Sequence, residues 1–171
     1  MLKDIFYLRD RGFINHIGVS IYEINELKKI LKIFTPNYIQ VPVNLLDSEF
    51  LLTKNLSFIK KNKIKIIGRS LFLQGLLLTK KEPTNLKLKN IFNHKNNIFK
   101  KNKYNLNTLE LCVVPFLKNK NIDKLIIGVE SKDHIQMIKN IENKLNEYPK
   151  INLDFFKYDK KDKYLLKPKN W

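Results

Sequence analysis

Cysteine is almost absent from this chain of 171 residues, and several other chemistries are missing with it. Cys112 is the only cysteine, which excludes an intramolecular disulfide and favours a buried thiol in a reducing, cytoplasmic setting. The histidines at positions 16, 94 and 134 are too scattered for a metal site. No apolar run approaches the roughly 18 residues of a membrane helix, and the first residues lack a signal-peptide core. Disulfide scaffolds, zinc modules and membrane-spanning proteins are therefore not expected.

Arginine is also scarce, although the formal net charge is +17. Arg9, Arg11 and Arg69 are the only arginines, so almost all of the positive charge comes from lysine. Phosphate recognition usually concentrates arginine and aromatic residues on one face. We therefore interpret the lysines as mostly solvated helix surface, and we expect weak, salt-sensitive binding of polyanions without a specific nucleic-acid site. A basic nucleic-acid-binding protein remains an alternative, which clustering of the lysines on one face would favour.

The chain does contain an alternation of strand-like and helix-like segments. Apolar strands are predicted at residues 13–19, 38–43, 64–68 and 123–129. Helices are predicted at residues 1–11, 23–34, 49–61, 106–118 and 131–147. This alternation predicts a single α/β domain over residues 1–171, with a parallel sheet covered by helices. The absence of Gly-x-Gly-x-x-Gly after any strand gives no support to a Rossmann dinucleotide fold.

Two segments fall outside this regular pattern. Residues 79–105 are dense in lysine and asparagine and are predicted to be a long loop, with His94 exposed in it. Residues 148–171 are predicted to be a C-terminal tail of mixed character. Within the last helix, Ser131 is the predicted cap, and the apolar positions expected to face inward are 135, 138, 141 and 145.

The third predicted strand carries the most informative pattern of the chain. After the apolar run from Ile64, the sequence turns polar at Gly68-Arg69-Ser70 and again at Gln74-Gly75. Polar residues at the carboxyl end of a parallel strand are placed to hold a ligand at the rim of an α/β structure. Gly75 is expected to adopt a positive φ angle.

Four segments resemble the aldo/keto reductase family, and they occur in the family's order. Residues 12–20 (Gly-Phe-Ile-Asn-His-Ile-Gly-Val-Ser) resemble its fifth barrel strand, residues 39–47 the sixth, 68–77 the seventh and 126–131 the eighth. The ending Leu-Leu-Lys-Pro-Lys-Asn-Trp is similar to the close of bacterial members linked to sugar modification. The resemblance covers essentially the whole chain but only the second half of a (β/α)8 barrel. It therefore implies a partial TIM-type barrel of about four parallel strands with covering helices.

The resemblance further implies NAD(P)H-dependent reduction of an aldehyde or ketone. It places Ser20 and Gln40 on the nicotinamide carboxamide and Asn44 as a brace for the adjoining loop. Arg69 stands where many members have an aromatic ring against the nicotinamide. Ser70 and the backbone of the three residues after it would meet the pyrophosphate. As structural alternatives, Ser20 could simply end a strand, and Arg69 with Ser70 could form a solvated turn.

The adenosine end of the cofactor is implied to lie near Gly128, Glu130, Ser131 and His134. Members that prefer NADPH commonly hold its 2′-phosphate with a basic residue where Glu130 stands. A carboxylate would repel that phosphate and could accept a hydrogen bond from a ribose hydroxyl, which argues against an NADPH preference. His134 has the alternative interpretation of a plain surface residue on a helix.

The catalytic residues of the family have no counterpart in this sequence. The resemblance implies that the proton-donating Tyr and its Asp, Lys and His partners come from the first half of the barrel. No Tyr, Lys, Asp or His here lies in a matching motif, so we assign no catalytic residue. We expect a truncated or split enzyme that binds cofactor weakly and turns over slowly or not at all. The alternative is a non-catalytic assembly module, in which the half barrel pairs with itself or with a partner.

Overall fold

The computed structural model describes residues 2–171, in which four parallel strands form one sheet. The strands are β1 (Gly18–Ser20), β2 (Tyr38–Pro42), β3 (Lys65–Arg69) and β4 (Lys124–Leu125), adjacent in that order. The helices are α1 (Leu2–Asp10), α2 (Ile24–Ile30), α3 (Thr53–Lys61), α4 (Lys89–Lys100), α5 (Thr108–Leu117) and α6 (Lys132–Asn143). The predicted α/β class and its parallel sheet are confirmed.

The two outer strands are much shorter than predicted. β1 begins at Gly18 rather than residue 13, and β4 ends at Leu125 rather than residue 129. Each of them pairs on one side only, with β2 and β3 respectively. Because an edge strand has half of its ladder hydrogen bonds missing, regular pairing is lost over the flanking residues. The two central strands keep five residues each, close to their predicted bounds.

The sheet has two faces of opposite character, because side chains alternate along each strand. On the face packed under the helices, Ile39, Val41 and Ile66 are buried. On the other face Gln40 is half-buried and Lys65 is exposed. We call these the covered face and the open face. The open-face residues of the strands are Gly18, Ser20, Tyr38, Gln40, Pro42, Lys65, Ile67, Arg69 and Lys124, of which Pro42 is buried.

Gly68 shows how tightly the covered face is packed. A Cβ atom at this position would lie 2.7 Å from Leu125 Cδ2 and 2.8 Å from Val43 Cγ2. No side chain fits there without moving its neighbours. Gly68 therefore lets the Leu125 and Val43 side chains pack directly against the backbone of β3.

The long loop predicted at residues 79–105 is wrong, because most of this segment is helical. Helix α4 occupies Lys89–Lys100, and its inner side buries Ile91, Phe92 and Lys95. A lysine at a core position interrupts the apolar stripe, which is why the sequence pattern hid the helix. His94 is correspondingly not an exposed loop residue. It is half-buried in α4, with its ring edge-on to Tyr158 at a centroid distance of 4.9 Å.

The C-terminal tail contributes large side chains to the core. Phe156 and Tyr158 are buried, as are Leu165 and Leu166. The Phe156 ring lies against Tyr104 and Phe99, and the backbone N–H of Tyr158 donates to the carbonyl of Leu46 at 3.0 Å. The tail is thus part of the helical layer that covers the sheet.

Helix ends follow the sequence more closely than helix faces do. Gly12, at φ +77°, follows α1 as predicted. Ser131 is the N-cap of α6, as predicted. The inward face predicted for α6 is only partly right: Ile141 is buried, whereas Ile135 is 43% exposed. The remaining helix prediction, residues 49–61, divides into a 3-10 turn and α3.

Candidate functional site

Ser20 and Gln40 form a hydrogen-bonded pair at the carboxyl ends of β1 and β2. The two residues are direct neighbours in the parallel register. The Ser20 hydroxyl donates to Gln40 Oε1 at 3.3 Å, and both side chains lie on the open face. This arrangement leaves the amide NH2 group of Gln40 to donate and the Ser20 oxygen to accept. The pair can therefore satisfy a ligand amide, which needs one donor and one acceptor.

Arg69 lies at the carboxyl end of β3, beside Pro42 of β2. Its Nη1 donates to Ser70 Oγ at 3.1 Å. Its guanidinium carbon lies 4.4 Å from the centroid of the Tyr22 ring, within cation–π range. Within residues 2–171, Arg69 Nε is buried and has no hydrogen-bond partner. A buried guanidinium nitrogen without an acceptor is an energetic cost that an anionic or polar ligand would relieve.

The loop after β3 is strained. The φ angles of Ser70, Leu73, Gln74 and Gly75 are +64°, +48°, +53° and +82°. Left-handed backbone is unusual for residues other than glycine, and most of all for a bulky one such as the buried Leu73. Each such residue costs on the order of 1–3 kcal/mol. Of these four positive φ angles, the sequence predicts only that of Gly75, and the structure confirms it.

The same loop presents unpaired backbone donors. Among the described residues, the N–H groups of Leu71 and Phe72 have no hydrogen-bond partner, whereas the N–H of Leu73 donates to the carbonyl of Ser70 at 3.0 Å. Successive N–H groups in a turn that includes left-handed residues form a concavity suited to anions. These are the residues that the resemblance places at the pyrophosphate, a role that stays a prediction.

Asn44 is fully buried just after β2 and holds its own loop together. Its Oδ1 accepts from the backbone N–H groups of Leu46 at 3.0 Å and Asp47 at 3.1 Å. Burial raises the pKa of the Asp47 carboxyl. Within residues 2–171, Asn44 Nδ2 is buried without a partner. The side chain thus shapes the turn at residues 44–47 and keeps one donor unused, and its place in a cofactor site stays a prediction.

The residues expected at the adenosine end form a separate, exposed group beyond β4. The Ser131 hydroxyl accepts from the backbone N–H of His134 at 3.2 Å, and the N–H of Glu130 donates to His134 Nδ1 at 3.5 Å. Gly128 is exposed, with open space around it. In the part of the chain that the structure describes, no hydrogen bond or ion pair joins this group to Ser20, Gln40 or Arg69.

Sequence reasoning missed the contacts of Tyr22 and of the C-terminal lysines with the site. Tyr22 lies two positions after Ser20, and its ring contacts Arg69 on one hand and Lys169 on the other, whose Nζ is 4.7 Å from the ring centroid. The nearby Lys167 pairs with Glu23 at 2.6 Å, and its hydrogen bond and charge hold the pKa of that carboxyl below its usual range. The tail therefore returns to the carboxyl end of β1, a long-range contact without a local sequence signal.

A metal site, a membrane-spanning helix and a reactive thiol have little support in the described chain. Residues 2–171 contain no group of three or more His, Cys, Asp or Glu side chains placed to hold a metal ion. None of the helices described is long and apolar enough to cross a bilayer. Cys112 is a free, buried thiol whose pKa is raised by burial, so it is a poor nucleophile.

Known proteins share both a sequence pattern and a fold with this chain. The model of the aldo/keto reductase family matches residues 1–149. An aldo-keto reductase from Bacillus halodurans, in its holo form, superimposes with a TM-score of 0.68 at 15% identity, over 94% of this chain and 52% of its own. A thermostable aldo-keto reductase in complex with the inhibitor epalrestat gives a TM-score of 0.56 at 18% identity, over 98% and 53%. No curated protein sequence matches. The chain thus spans about half the length of these structures, and its sheet corresponds to part of a TIM-type barrel.

Proposed function

Because the chain belongs to the aldo/keto reductase family, we propose that its open face and strand ends bind a nicotinamide dinucleotide for the reduction of an aldehyde or ketone. The observation that carries this proposal is the Ser20–Gln40 pair, a hydroxyl and an amide held side by side at the carboxyl ends of β1 and β2. A carboxamide is the nicotinamide group that such a pair recognises.

The unsatisfied polar groups of the site fit this cofactor. Arg69 Nε is a buried donor that has no partner within residues 2–171, on a side chain that is half-buried at the end of β3, and Asn44 would support the adjoining loop. The unpaired N–H groups of Leu71 and Phe72 would face the pyrophosphate together with the Ser70 hydroxyl. Glu130, Ser131 and His134, exposed beyond β4, would meet the adenosine end. When bound, the cofactor would supply the hydride, and these residues would hold and orient it.

We further propose that NADH is favoured over NADPH. Glu130 is exposed beside the first turn of α6, where the resemblance puts the adenosine ribose. Its carboxylate can accept a hydrogen bond from a ribose hydroxyl but would repel a 2′-phosphate. The substitution Glu130→Lys is expected to tighten NADPH binding about tenfold, a change of about 1.4 kcal/mol. Glu142→Lys, an equal change of charge near the end of α6, should leave both affinities unchanged.

Titration of the cofactor fluorescence tests the proposed site. We expect the wild-type chain to bind NADH weakly, and Gln40→Ala to raise the Kd about fivefold to tenfold through the loss of one hydrogen bond. Gln136→Ala is the control, because Gln136 is an exposed amide of α6 bonded only to Asn140. Failure of NADH to bind at millimolar concentration, or equal effects of the two substitutions, would contradict the proposal.

The proton that completes carbonyl reduction is proposed to come from outside this chain. No Tyr, Lys, Asp or His of the chain lies in a motif of the family's proton-delivering group, so binding and turnover should separate. A panel of aldehydes with NADH and the isolated chain should give cofactor binding without oxidation. Clear turnover would show that a proton donor is present.

We propose that the protein lies in the cytoplasm, a reducing compartment that suits its single, unpaired cysteine.

A further inference from the structure

The amino-terminal half of the open face carries two lysines around a tyrosine. Tyr38 and Lys65 are neighbours in register. The Nζ atoms of Lys65 and Lys124 lie 5.7 and 5.9 Å from the Tyr38 ring centroid, and the His16 ring approaches it edge-on at 5.7 Å. Both lysines are exposed. Within residues 2–171, no carboxylate forms an ion pair with either of these two lysines.

The margins of the open face are also unpartnered. β1 and β4 each have one free edge. Large apolar side chains are exposed in the chain next to both strands: Phe13 before β1 is 75% exposed, and Ile126 directly after β4 is 49% exposed. Free strand edges beside exposed apolar side chains are typical of a surface that another sheet completes.

A second copy of this chain is a poor occupant for that surface. Each copy would bring its own Lys65 and Lys124, both exposed, to the interface. Closing two such faces together would bury four ammonium groups without counter-ions, which strongly disfavours the pairing. Single-stranded nucleic acid is also a poor occupant, because the flanking lysines and His16 occupy the surroundings of the Tyr38 ring that a base would need for stacking.

We propose that the open face and both strand edges dock an acidic polypeptide partner, a sheet with carboxylates opposite Lys65 and Lys124. This inference deepens the proposed function, because it names the chemistry of the part that would complete the barrel around the cofactor site. Charge complementarity then selects the partner and disfavours pairing of the chain with itself. The paired lysines become buried ion pairs only in the complex, and the apolar margins are covered at the same time.

An acidic version of the same surface provides a defined probe. The variant K65E/K124E reverses both open-face charges, so its mixture with the wild-type chain should form a 1:1 complex in sedimentation velocity at 50 mM salt. Each protein alone should remain monomeric, and 500 mM salt should weaken the complex at least tenfold. The control K54E/K139E makes the same charge change on exposed lysines of α3 and α6 and should not associate with the wild type. K65E alone gives a second, milder probe, and circular dichroism verifies that each variant is folded.

Several results would overturn the inference. These are wild-type self-association as strong as that of the mixture, equal association by the control, or no complex between folded proteins. Binding of a 20-nucleotide oligothymidylate at 500 mM salt that is lost in K65E/K124E would assign the face to nucleic acid instead. Nicotinamide is absent from all these measurements, so their failure is distinguishable from failure of the cofactor proposal.

Discussion

The two faces of the sheet differ in burial and in side-chain chemistry. Ile66 and Ile67 are adjacent on β3 and chemically identical, yet Ile66 is 2% exposed under the helices while Ile67 lies half-buried on the open face. The covered face is aliphatic and closed by helices and tail. The open face carries serine, glutamine, lysine and arginine. The contrast shows that the strands are packed against the helices on one side and present polar, partly exposed side chains on the other.

The contrast extends to how polar groups are satisfied. In the helical layer the buried polar side chains are mostly bonded: Asn55 donates to the carbonyl of Glu49 at 2.8 Å, and Lys95 donates to that of Thr79 at 2.6 Å. At the rim of the open face, Arg69 Nε and Asn44 Nδ2 are left without partners in the described chain. Orphaned buried polar atoms are rare in folded proteins. His94 Nε2 in α4 is a third such atom within residues 2–171, so two of the three lie just after or at the end of the central strands.

The largest expected effect on stability lies in the tail that closes the covered side. Phe156→Ala should lower the free energy of unfolding by about 3–5 kcal/mol, because it removes a fully buried ring. Phe155 is its neighbour, 46% exposed, so Phe155→Ala should cost less than about 1 kcal/mol. Urea unfolding of both variants measures the difference. Equal costs would mean that the tail is not packed into the core.

The next effect compares the two faces directly. Ile66→Ala should cost about 2–5 kcal/mol through loss of buried surface and the cavity left behind, and Ile67→Ala less than about 1 kcal/mol. The residues differ only in which side of β3 they occupy, so propensity and strand position cancel. Thermal or urea unfolding checks both. A cost at Ile67 as large as at Ile66 would indicate that the open face is packed in the isolated chain, for example by self-association.

Much of this fold was predictable from the sequence, for reasons that particular residues make plain. The uninterrupted apolar runs around Ile39 and Ile66 predict buried parallel strands, and Ser131 predicts a helix start, because these signals are local. The sequence prediction missed helix α4 because Lys95 occupies a core position, and the resulting pattern resembled a polar loop. The short outer strands were overextended because edge pairing depends on neighbours that the sequence does not name.

The site was predictable only in part. Motif order led to Ser20, Gln40, Arg69 and Ser70, and the structure brings these residues into two bonded pairs at the strand ends. Their role in cofactor binding stays a prediction. The contact of Tyr22 with Arg69 and Lys169 joins three distant parts of the chain. Leu73, a buried bulky residue, has a φ angle of +48°. Neither of these features has a signal in local composition, so sequence reasoning could not reach them.

The smallest expected effect concerns a charge buried on the covered side. Burial lowers the pKa of Lys95 from its ordinary value of 10.5. As the pH rises towards 10.5, the folded state releases this proton before the unfolded state does, so the stability of the wild type should rise relative to that of Lys95→Met. Urea unfolding between pH 7 and 10 measures that difference. Lys100→Met, which removes an exposed lysine of the same helix, controls for net charge. Parallel pH profiles for wild type and Lys95→Met would mean that this lysine is solvated, and that the covered side admits water where the structure places it in the core.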